Sequence, residues 1–225
     1  MQYFYPIPGR ISGKLRQSRL PRYPGARKTE QGYTVAVLKL DRAALDYAAF
    51  YCEENVWRLL ARPELAEVQA WAVLVSSARR EVVLLRQRAG RIGDGLIHWD
   101  YHAFAVAVDP LQGRMALDLD SDLPFPCPLA RYLEDSFPRD VQRAFGPRFR
   151  VVPAADYVKG LVSDRSHMRR PDGSWLAPPP PWPAPGSDTG RPSVLMDWVD
   201  MGTRSPGTVF DRRRMESFAS ETVRA

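Results

Sequence analysis

Cysteine and histidine are scarce in this sequence, whose 225 residues include two cysteines and three histidines. Two cysteines are too few for the disulfide framework of a small secreted domain. Cys52 and Cys127 form no CxxC pair, and the histidines lack the HExxH spacing, so neither of these zinc motifs is present. We therefore expect no metal and no other cofactor. Each cysteine is interpreted as a buried or reactive thiol, with a single bridge between the two as the alternative.

Long apolar runs are also missing. No stretch approaches the roughly 18 uncharged apolar residues of a membrane-spanning helix, and the N-terminus has no apolar run typical of a secretory signal. No internal repeat is visible, and the length is typical of one domain. These absences predict a single-domain, cytoplasmic protein without membrane contact, and we expect a monomer.

Acidic residues are nearly absent from residues 1–35, where seven basic side chains stand against one acidic side chain. This segment accounts for the whole net charge of +6, because the other 190 residues contain 25 basic and 25 acidic side chains. A nucleic-acid-binding domain carries its basic surface on the folded part. We therefore expect no nucleic-acid partner, and we interpret 1–35 as a basic, flexible N-terminal extension.

The rest of the chain has the composition of a folded domain, since 44% of all residues are hydrophobic. We expect this domain to span 36–219, followed by a C-terminal tail over 220–225. Within it, residues 171–192 contain eight prolines, which predicts an extended loop without regular structure.

Hydrophobic periodicity and turn residues predict the helices and strands of this domain. The predicted helices are 53–61, 128–145 with an interruption at Pro138, and 154–162; the predicted strands are 71–76, 81–87, 98–108, 115–120 and 149–152. Asp41 is expected to cap a short helix that runs into the region of Cys52. The strands are expected to pair as two hairpins, 71–76 with 81–87, and 98–108 with 115–120. The predicted fold class is α/β of the α+β type: a single domain with a central, mostly antiparallel sheet flanked by helices.

Cys52 stands directly before the predicted helix 53–61. The free N–H groups and the dipole at a helix N-terminus stabilise a thiolate. Cys127 is flanked by prolines, which supply no N–H, and is interpreted as a packing residue. Cys52 is therefore the candidate nucleophile.

The second predicted hairpin contains His102, the candidate base that takes the proton of the Cys52 thiol. If its turn is centred at residue 110 or 111, His102 lies opposite Asp118 or Asp120 and on the same face as both. A carboxylate that holds one imidazole nitrogen leaves the other free to take a thiol proton. The register does not choose between the two aspartates, and a shift of one residue would separate both from His102.

Five motifs occur together in one order: FYCEENVWRL (50–59), WDYH (99–102), LDLDSDLPFPCP (117–128), SDRSHM (163–168) and GSWLAPPPPWP (173–183). In this combination the chain, from about residue 48 to 218, closely resembles the protein N-terminal glutamine amidohydrolase family. The resemblance implies a core akin to transglutaminase and papain-like cysteine enzymes. It also implies a catalytic triad of Cys52, His102 and Asp118, and so chooses between the two aspartates.

The resemblance further implies the activity. Such an enzyme hydrolyses the side-chain amide of an N-terminal glutamine through a thioester, releasing ammonia and leaving glutamate, and in this family the reaction is linked to protein degradation signals. The implied partners are proteins or peptides with a free N-terminal glutamine. Two alternatives remain: a transglutaminase-like acyl transferase, and a catalytically inactive module that binds N-termini.

Recognition of a free α-ammonium group requires acceptor oxygens in the pocket. The sequence does not choose among the carboxylates nearest to the motifs, which are Glu53, Asp100, Asp120 and Asp164. The candidate substrate-binding residues are Glu53, Trp99, Asp120, Ser163, Asp164 and His167. The Cys52 N–H is the expected oxyanion donor.

Overall fold

In this computed structural model the described part of the chain comprises residues 38–90, 95–140, 146–202 and 204–221, and a run of strands separates its first two α-helices. The strands are β1 (Ala70–Ser76), β2 (Val82–Leu84), β3 (Ile97–Trp99), β4 (His102–Asp109), β5 (Gly113–Leu117), β6 (Cys127–Pro128), β7 (Arg148–Pro153) and β8 (Thr208–Phe210). The α-helices are α1 (Cys52–Leu60), α2 (Leu129–Ser136), α3 (Ala154–Gly160), α4 (Leu195–Val199) and α5 (Arg212–Ser220). The predicted N-terminal extension, 1–35, lies outside the described residues.

Six strands form one antiparallel sheet in the order β6-β5-β4-β1-β7-β8, and β2 pairs with β3 separately. Helices cover both faces of the large sheet. The predicted α+β class, a single domain with a mostly antiparallel sheet flanked by helices, is confirmed. None of the helices in the described ranges combines the length and apolar character needed to cross a membrane.

Alternating residues of the central strands supply two hydrophobic cores. Leu74 of β1 and the alanines of β4 pack with α1, α3 and α4 on one face. Val73 of β1 and Phe104 of β4 pack with α2 and α5 on the other face. Because the side chains of a strand point to opposite faces in turn, the apolar run of β1 is buried on both sides. The start of α1 lies beside the start of β4, because the Ala103 backbone N–H of β4 hydrogen-bonds to the Cys52 sulfur of α1.

The first predicted hairpin is wrong. The strand predicted at 71–76 is β1, which pairs with β4 and β7, whereas the segment 81–87 supplies β2, which pairs with β3. Both runs have the length and apolar character of strands, but such a pattern does not specify a partner. A strand that is apolar on both faces is stabilised more by a central position between two helical layers than by an edge position.

The second predicted hairpin is confirmed in its register but is shorter than expected. β4 begins at His102 and β5 ends at Leu117, with Asp109 paired to Gly113. The Asp109 carboxylate accepts hydrogen bonds from two backbone N–H groups of the turn, and Gly113 has a positive φ of 81°. Residues 98 and 99, predicted as part of the same strand, belong to β3 instead.

Helix α1 confirms the helix predicted at 53–61 and begins one residue earlier, at Cys52. The helix predicted over 128–145 is α2, which ends at Ser136 because Pro138 excludes the α conformation for the residue before it; residues 141–145 lie outside the described ranges. The prediction at 154–162 is confirmed as α3. Asp41 does cap a helix, but this is a three-residue 3-10 helix that ends at Ala44, so a helix running into Cys52 is wrong.

The Pro-rich segment, 171–192, contains turns and extended chain, with one isolated bridge between Arg169 and Trp175 at its start. This agrees with its composition. Both cysteines are free thiols, so the alternative of a disulfide bridge is wrong.

Candidate active site

Cys52 is the first residue of α1 and is almost fully buried, with 6% of its surface exposed. Burial raises the pKa of the Cys52 thiol well above its usual value, and the carboxylates of Glu53 and Asp120 raise it further. The Ala103 backbone N–H, which hydrogen-bonds to the sulfur, acts in the opposite direction. The expected stabilisation of a thiolate by the helix N-terminus is therefore outweighed in the free protein. A reaction at this sulfur requires a base that takes its proton.

His102 is the first residue of β4 and is held by Asp118. Its Nε2 lies 3.1 Å from Asp118 Oδ2, and both side chains are buried. Burial opposes the charged imidazolium, but the attraction of Asp118 outweighs it and raises the pKa of His102. Because Nε2 is engaged by the carboxylate, Nδ1 is the nitrogen left for exchanging a proton with the Cys52 thiol.

Asp118 is fixed by more than the histidine. Its Oδ2 accepts hydrogen bonds from Tyr132 (2.8 Å) and from the Gln87 side-chain amide (3.0 Å). Its Oδ1 accepts the Asp120 backbone N–H at 2.9 Å. Burial alone would raise the pKa of Asp118, but His102, Tyr132 and Gln87 together lower it. The Asp118 carboxylate is therefore ionised, and these hydrogen bonds hold it in one orientation.

Gln87 and Tyr132 were not predicted as site residues. Tyr132 was recognised in the sequence only as part of the apolar stripe of α2. Gln87 carries no sequence signal at all, since its position depends on a bridge to Ser121, 34 residues further along the chain.

Asp120 lies next to this arrangement. Its Oδ1 accepts a hydrogen bond from the Tyr47 hydroxyl at 2.7 Å, and the Arg88 guanidinium lies 4.7 Å from the centre of the Tyr47 ring. Burial and the neighbouring Asp118 raise the pKa of Asp120 to about 6. Asp120 therefore changes its charge close to neutral pH.

A cavity brings these groups together. It is partly open to solvent. It is lined by Tyr47, Ala49, Phe50, Cys52, Gln87, Ala89, Trp99, Tyr101, His102 and Asp120. Of the six candidate substrate-binding residues, Trp99 and Asp120 line this cavity, whereas Glu53, Ser163, Asp164 and His167 do not.

Glu53 contacts both His167 and the Cys52 sulfur. Glu53 is fully buried, and its Oε2 accepts a hydrogen bond from Tyr101 at 2.9 Å and lies 3.8 Å from the Cys52 sulfur. Its Oε1 lies 3.4 Å from His167 Nε2. Burial lowers the pKa of His167, but Glu53 outweighs this and raises it. Glu53 therefore lies between the Cys52 thiol and an imidazole whose charged form it favours.

Ser163 and Asp164 shape the loop that carries His167. Ser163 Oγ accepts the Arg165 N–H at 3.3 Å, and Asp164 Oδ1 accepts the Ser166 N–H at 2.9 Å. Ser163 is buried and Asp164 is exposed. Both side chains therefore satisfy backbone donors of the loop.

A buried ion pair joins α1 to Arg165, and hydrogen bonds join α1 and the residue before it to the Pro-rich segment. Arg165 contacts the Glu54 carboxylate with two nitrogens, at 2.7 and 2.8 Å, and the Trp182 indole N–H donates to the same carboxylate at 2.9 Å. The Tyr51 hydroxyl donates to the Ala177 carbonyl at 3.1 Å. The residues on either side of the Cys52–Glu53 pair are thus tied to a segment more than 120 residues away.

Replacing Arg165 with methionine is expected to lower the free energy of unfolding by about 3 to 5 kcal/mol, because it leaves the buried Glu54 carboxylate without its charged partner. Urea unfolding followed by circular dichroism measures this loss. Arg139→Met is the matched control, since its partner Glu216 is also 2.7 Å away but the Arg139 side chain is 72% exposed; its effect should stay below about 1 kcal/mol. Equal effects of the two substitutions would contradict a stabilising role for the buried pair.

Within the described ranges, no three histidine, cysteine, aspartate or glutamate side chains are grouped so that they could hold a metal ion.

Comparison with known proteins gives one consistent result. A model of the N-terminal glutamine amidase family matches residues 47–219. The protein N-terminal glutamine amidohydrolase of Drosophila willistoni is 42% identical over 179 residues, which cover 75% of this chain and 85% of that protein. The proteins of the same name from Drosophila erecta and Drosophila virilis are 41% and 42% identical, with the same coverage.

Proposed function

Because the chain belongs to the N-terminal glutamine amidase family, we propose that it hydrolyses the side-chain amide of an N-terminal glutamine in proteins or peptides. The products are an N-terminal glutamate and ammonia. The observation that carries this proposal is the arrangement of Cys52 and His102 in one cavity, with Asp118 held 3.1 Å from the far nitrogen of the imidazole.

In the first half of the reaction, the Cys52 sulfur attacks the carboxamide carbon. His102 takes the thiol proton as the C–S bond forms and then delivers it to the amide nitrogen, so that the C–N bond breaks and ammonia leaves. The substrate is left as a thioester on Cys52. The raised pKa of the thiol makes this transfer to His102 a required step.

In the second half, water replaces the sulfur. His102 takes a proton from the water as its oxygen attacks the thioester carbon, and this proton returns to the sulfur as the C–S bond breaks. The free thiol and the glutamate side chain are the products. Asp118 stabilises the imidazolium that forms in both halves and orients the ring.

Each half passes through a tetrahedral oxyanion. The Cys52 N–H is a donor for this oxygen, because it lies in the first turn of α1, where backbone N–H groups have no partner within the helix. The same turn directs the positive end of the helix dipole toward the developing charge.

The two alternatives differ from hydrolysis in the fate of the thioester. An acyl transferase would pass the acyl group to an amine, and added amine would then replace water in the product. A module that only binds N-termini would form no product. The family relationship favours hydrolysis, since the relatives are named as amidohydrolases.

Mass spectrometry of short peptides tests the proposal. A peptide that begins with glutamine should gain the mass difference between an amide and an acid and should release one ammonia. Peptides that begin with asparagine or with acetylated glutamine, or that contain only internal glutamine, should react far more slowly. Deamidation of internal glutamine at a comparable rate would contradict specificity for the N-terminus, and incorporation of added amine would favour the transferase.

A further inference from the structure

We propose that Asp120, oriented by Tyr47, accepts the α-ammonium group of the N-terminal residue and so creates the requirement for a free N-terminus. This inference rests on the proposed function, because it assigns the recognition step of the same site. Besides Asp100, which does not line the cavity, three buried or half-buried carboxylates lie near Cys52 and His102, namely Glu53, Asp118 and Asp120. Access, hydrogen bonding and charge each distinguish the third from the other two.

The first distinction is access. Asp120 lines the cavity together with Cys52 and His102, whereas Glu53 and Asp118 do not. Glu53 is 0% exposed and Asp118 is 3% exposed. Of these three carboxylates, Asp120 is therefore the one that a group inside the cavity meets directly.

The second distinction is unused hydrogen-bonding capacity. Both oxygens of Asp118 accept hydrogen bonds. Glu53 Oε2 accepts one from Tyr101, and Glu53 Oε1, although it accepts none, is buried 3.4 Å from His167 Nε2 and outside the cavity lining. Asp120 accepts one side-chain hydrogen bond, from Tyr47 to Oδ1, and its Oδ2 accepts none from the described residues. A carboxylate oxygen in a confined site forms strong hydrogen bonds to an ammonium group.

The third distinction is charge. Asp118 and Asp120 are two residues apart, and the charged groups that face Asp120 are Asp118, His102, Arg88 and Arg42, with the Tyr47 hydroxyl in contact. The Asp118 charge and burial both disfavour ionised Asp120. A bound cation offsets both effects. The α-ammonium group of a substrate supplies such a charge and so stabilises the ionised Asp120 carboxylate.

The size of glutamine also fits this assignment. Three carbons separate its α-nitrogen from its amide carbon, and Asp120 and Cys52 line one cavity, so a single residue is placed to contact both. Asparagine has one carbon fewer. We therefore expect it to make these two contacts less well than glutamine.

The test compares a free and an acetylated N-terminal glutamine peptide in the wild type and in Asp120→Asn. In the variant, kcat/KM for the free peptide should fall on the order of 100-fold, mainly through KM, because one partner of a desolvated charge pair is lost. The residual rate on the acetylated peptide should not fall, so the preference for a free N-terminus should nearly disappear. Tyr47→Phe should reduce the same preference by a smaller factor.

Asp122→Asn is the matched control, since Asp122 lies two residues further on and pairs with Arg86 at the surface. It should keep the wild-type preference. An unchanged preference in Asp120→Asn would overturn the proposal, and so would loss of the preference in Glu53→Gln with Asp120→Asn unaffected. If the wild type hydrolyses neither peptide, the proposed function itself is wrong, a result distinct from both.

Two further measurements test the same assignment. The product peptide with a free N-terminal glutamate should protect Cys52 from iodoacetamide in the wild type, and acetylation of the peptide or Asp120→Asn should remove this protection. Asp120 is ionised only above a pKa of about 6, so KM of the wild type should rise as the pH falls below that value. Asp120→Asn should lack this rise; equal protection by both peptides, or an unaltered rise, contradicts the assignment.

Discussion

Cys52→Ala is expected to lower kcat/KM for a peptide with N-terminal glutamine by about 10⁴-fold or more, because the variant has no atom that can form the thioester. Ammonia release, measured at several enzyme concentrations, checks this loss. Circular dichroism should show an unchanged fold, since a buried cysteine is replaced by a smaller side chain at the start of a helix that is packed along its whole apolar face.

Cys127→Ala is the matched control for this variant. Cys127 is also buried, but it packs in the core between the sheet and α2, and burial raises the pKa of its thiol to about 11. Its replacement should lower stability slightly and leave kcat/KM within about twofold of the wild type. A Cys52→Ala enzyme that keeps a substantial rate, or a Cys127→Ala enzyme that loses it, would remove the basis of the proposed mechanism.

Asp118→Asn is expected to lower kcat by about 10³- to 10⁴-fold, since an amide neither stabilises the imidazolium nor holds the same tautomer of His102. The variant also has a signature in its pH profile. Asp118 raises the pKa of His102, so removal of its charge should lower that pKa and shift the acidic limb of kcat/KM to lower pH. Rates measured over a range of pH give both quantities.

Tyr132→Phe distinguishes the effect of the Asp118 charge from the effect of a hydrogen bond that holds the Asp118 carboxylate. It removes one hydrogen bond to Asp118 Oδ2 but keeps the carboxylate. Its loss of kcat should be about tenfold or less. If Asp118→Asn leaves both kcat and the acidic limb unchanged, Asp118 does not act through His102.

The parts of the site that the sequence predicts depend on local signals. Acidic residues in a first turn and apolar residues at helical spacing fixed the start of α1 next to Cys52. The turn between Asp109 and Gly113 fixed the register of β4 and β5, because the aspartate and the glycine are each suited to their turn position. The resemblance then selected Asp118. The catalytic roles of these residues stay predictions that the variants above test.

The parts that the sequence does not predict depend on distant contacts. Gln87 reaches Asp118 and Tyr47 reaches Asp120 across separations of 31 and 73 residues. No periodicity records such pairs. The electrostatics of Cys52 has the same origin, since its helix position favours a thiolate but burial and two carboxylates outweigh that effect. The pairing of β1 with β4 and β7 likewise depends on contacts across the whole sheet, which a local sequence pattern does not specify.

The contacts of Glu54 with Arg165 and Trp182 have a consequence for the protein during its synthesis. A chain emerges from the ribosome with its N-terminal part first, and its elements pack as their partners appear. The segment that carries Cys52 and Glu54 emerges early, but the cationic partner of Glu54 follows 111 residues later and the Trp182 indole 128 residues later. A nascent chain that stops before residue 165 therefore contains the nucleophile, the base and the orienting carboxylate, yet retains a glutamate beside them without its charge partner. Completion of the site thus requires synthesis past Trp182, and we expect products truncated before Arg165 to lack activity.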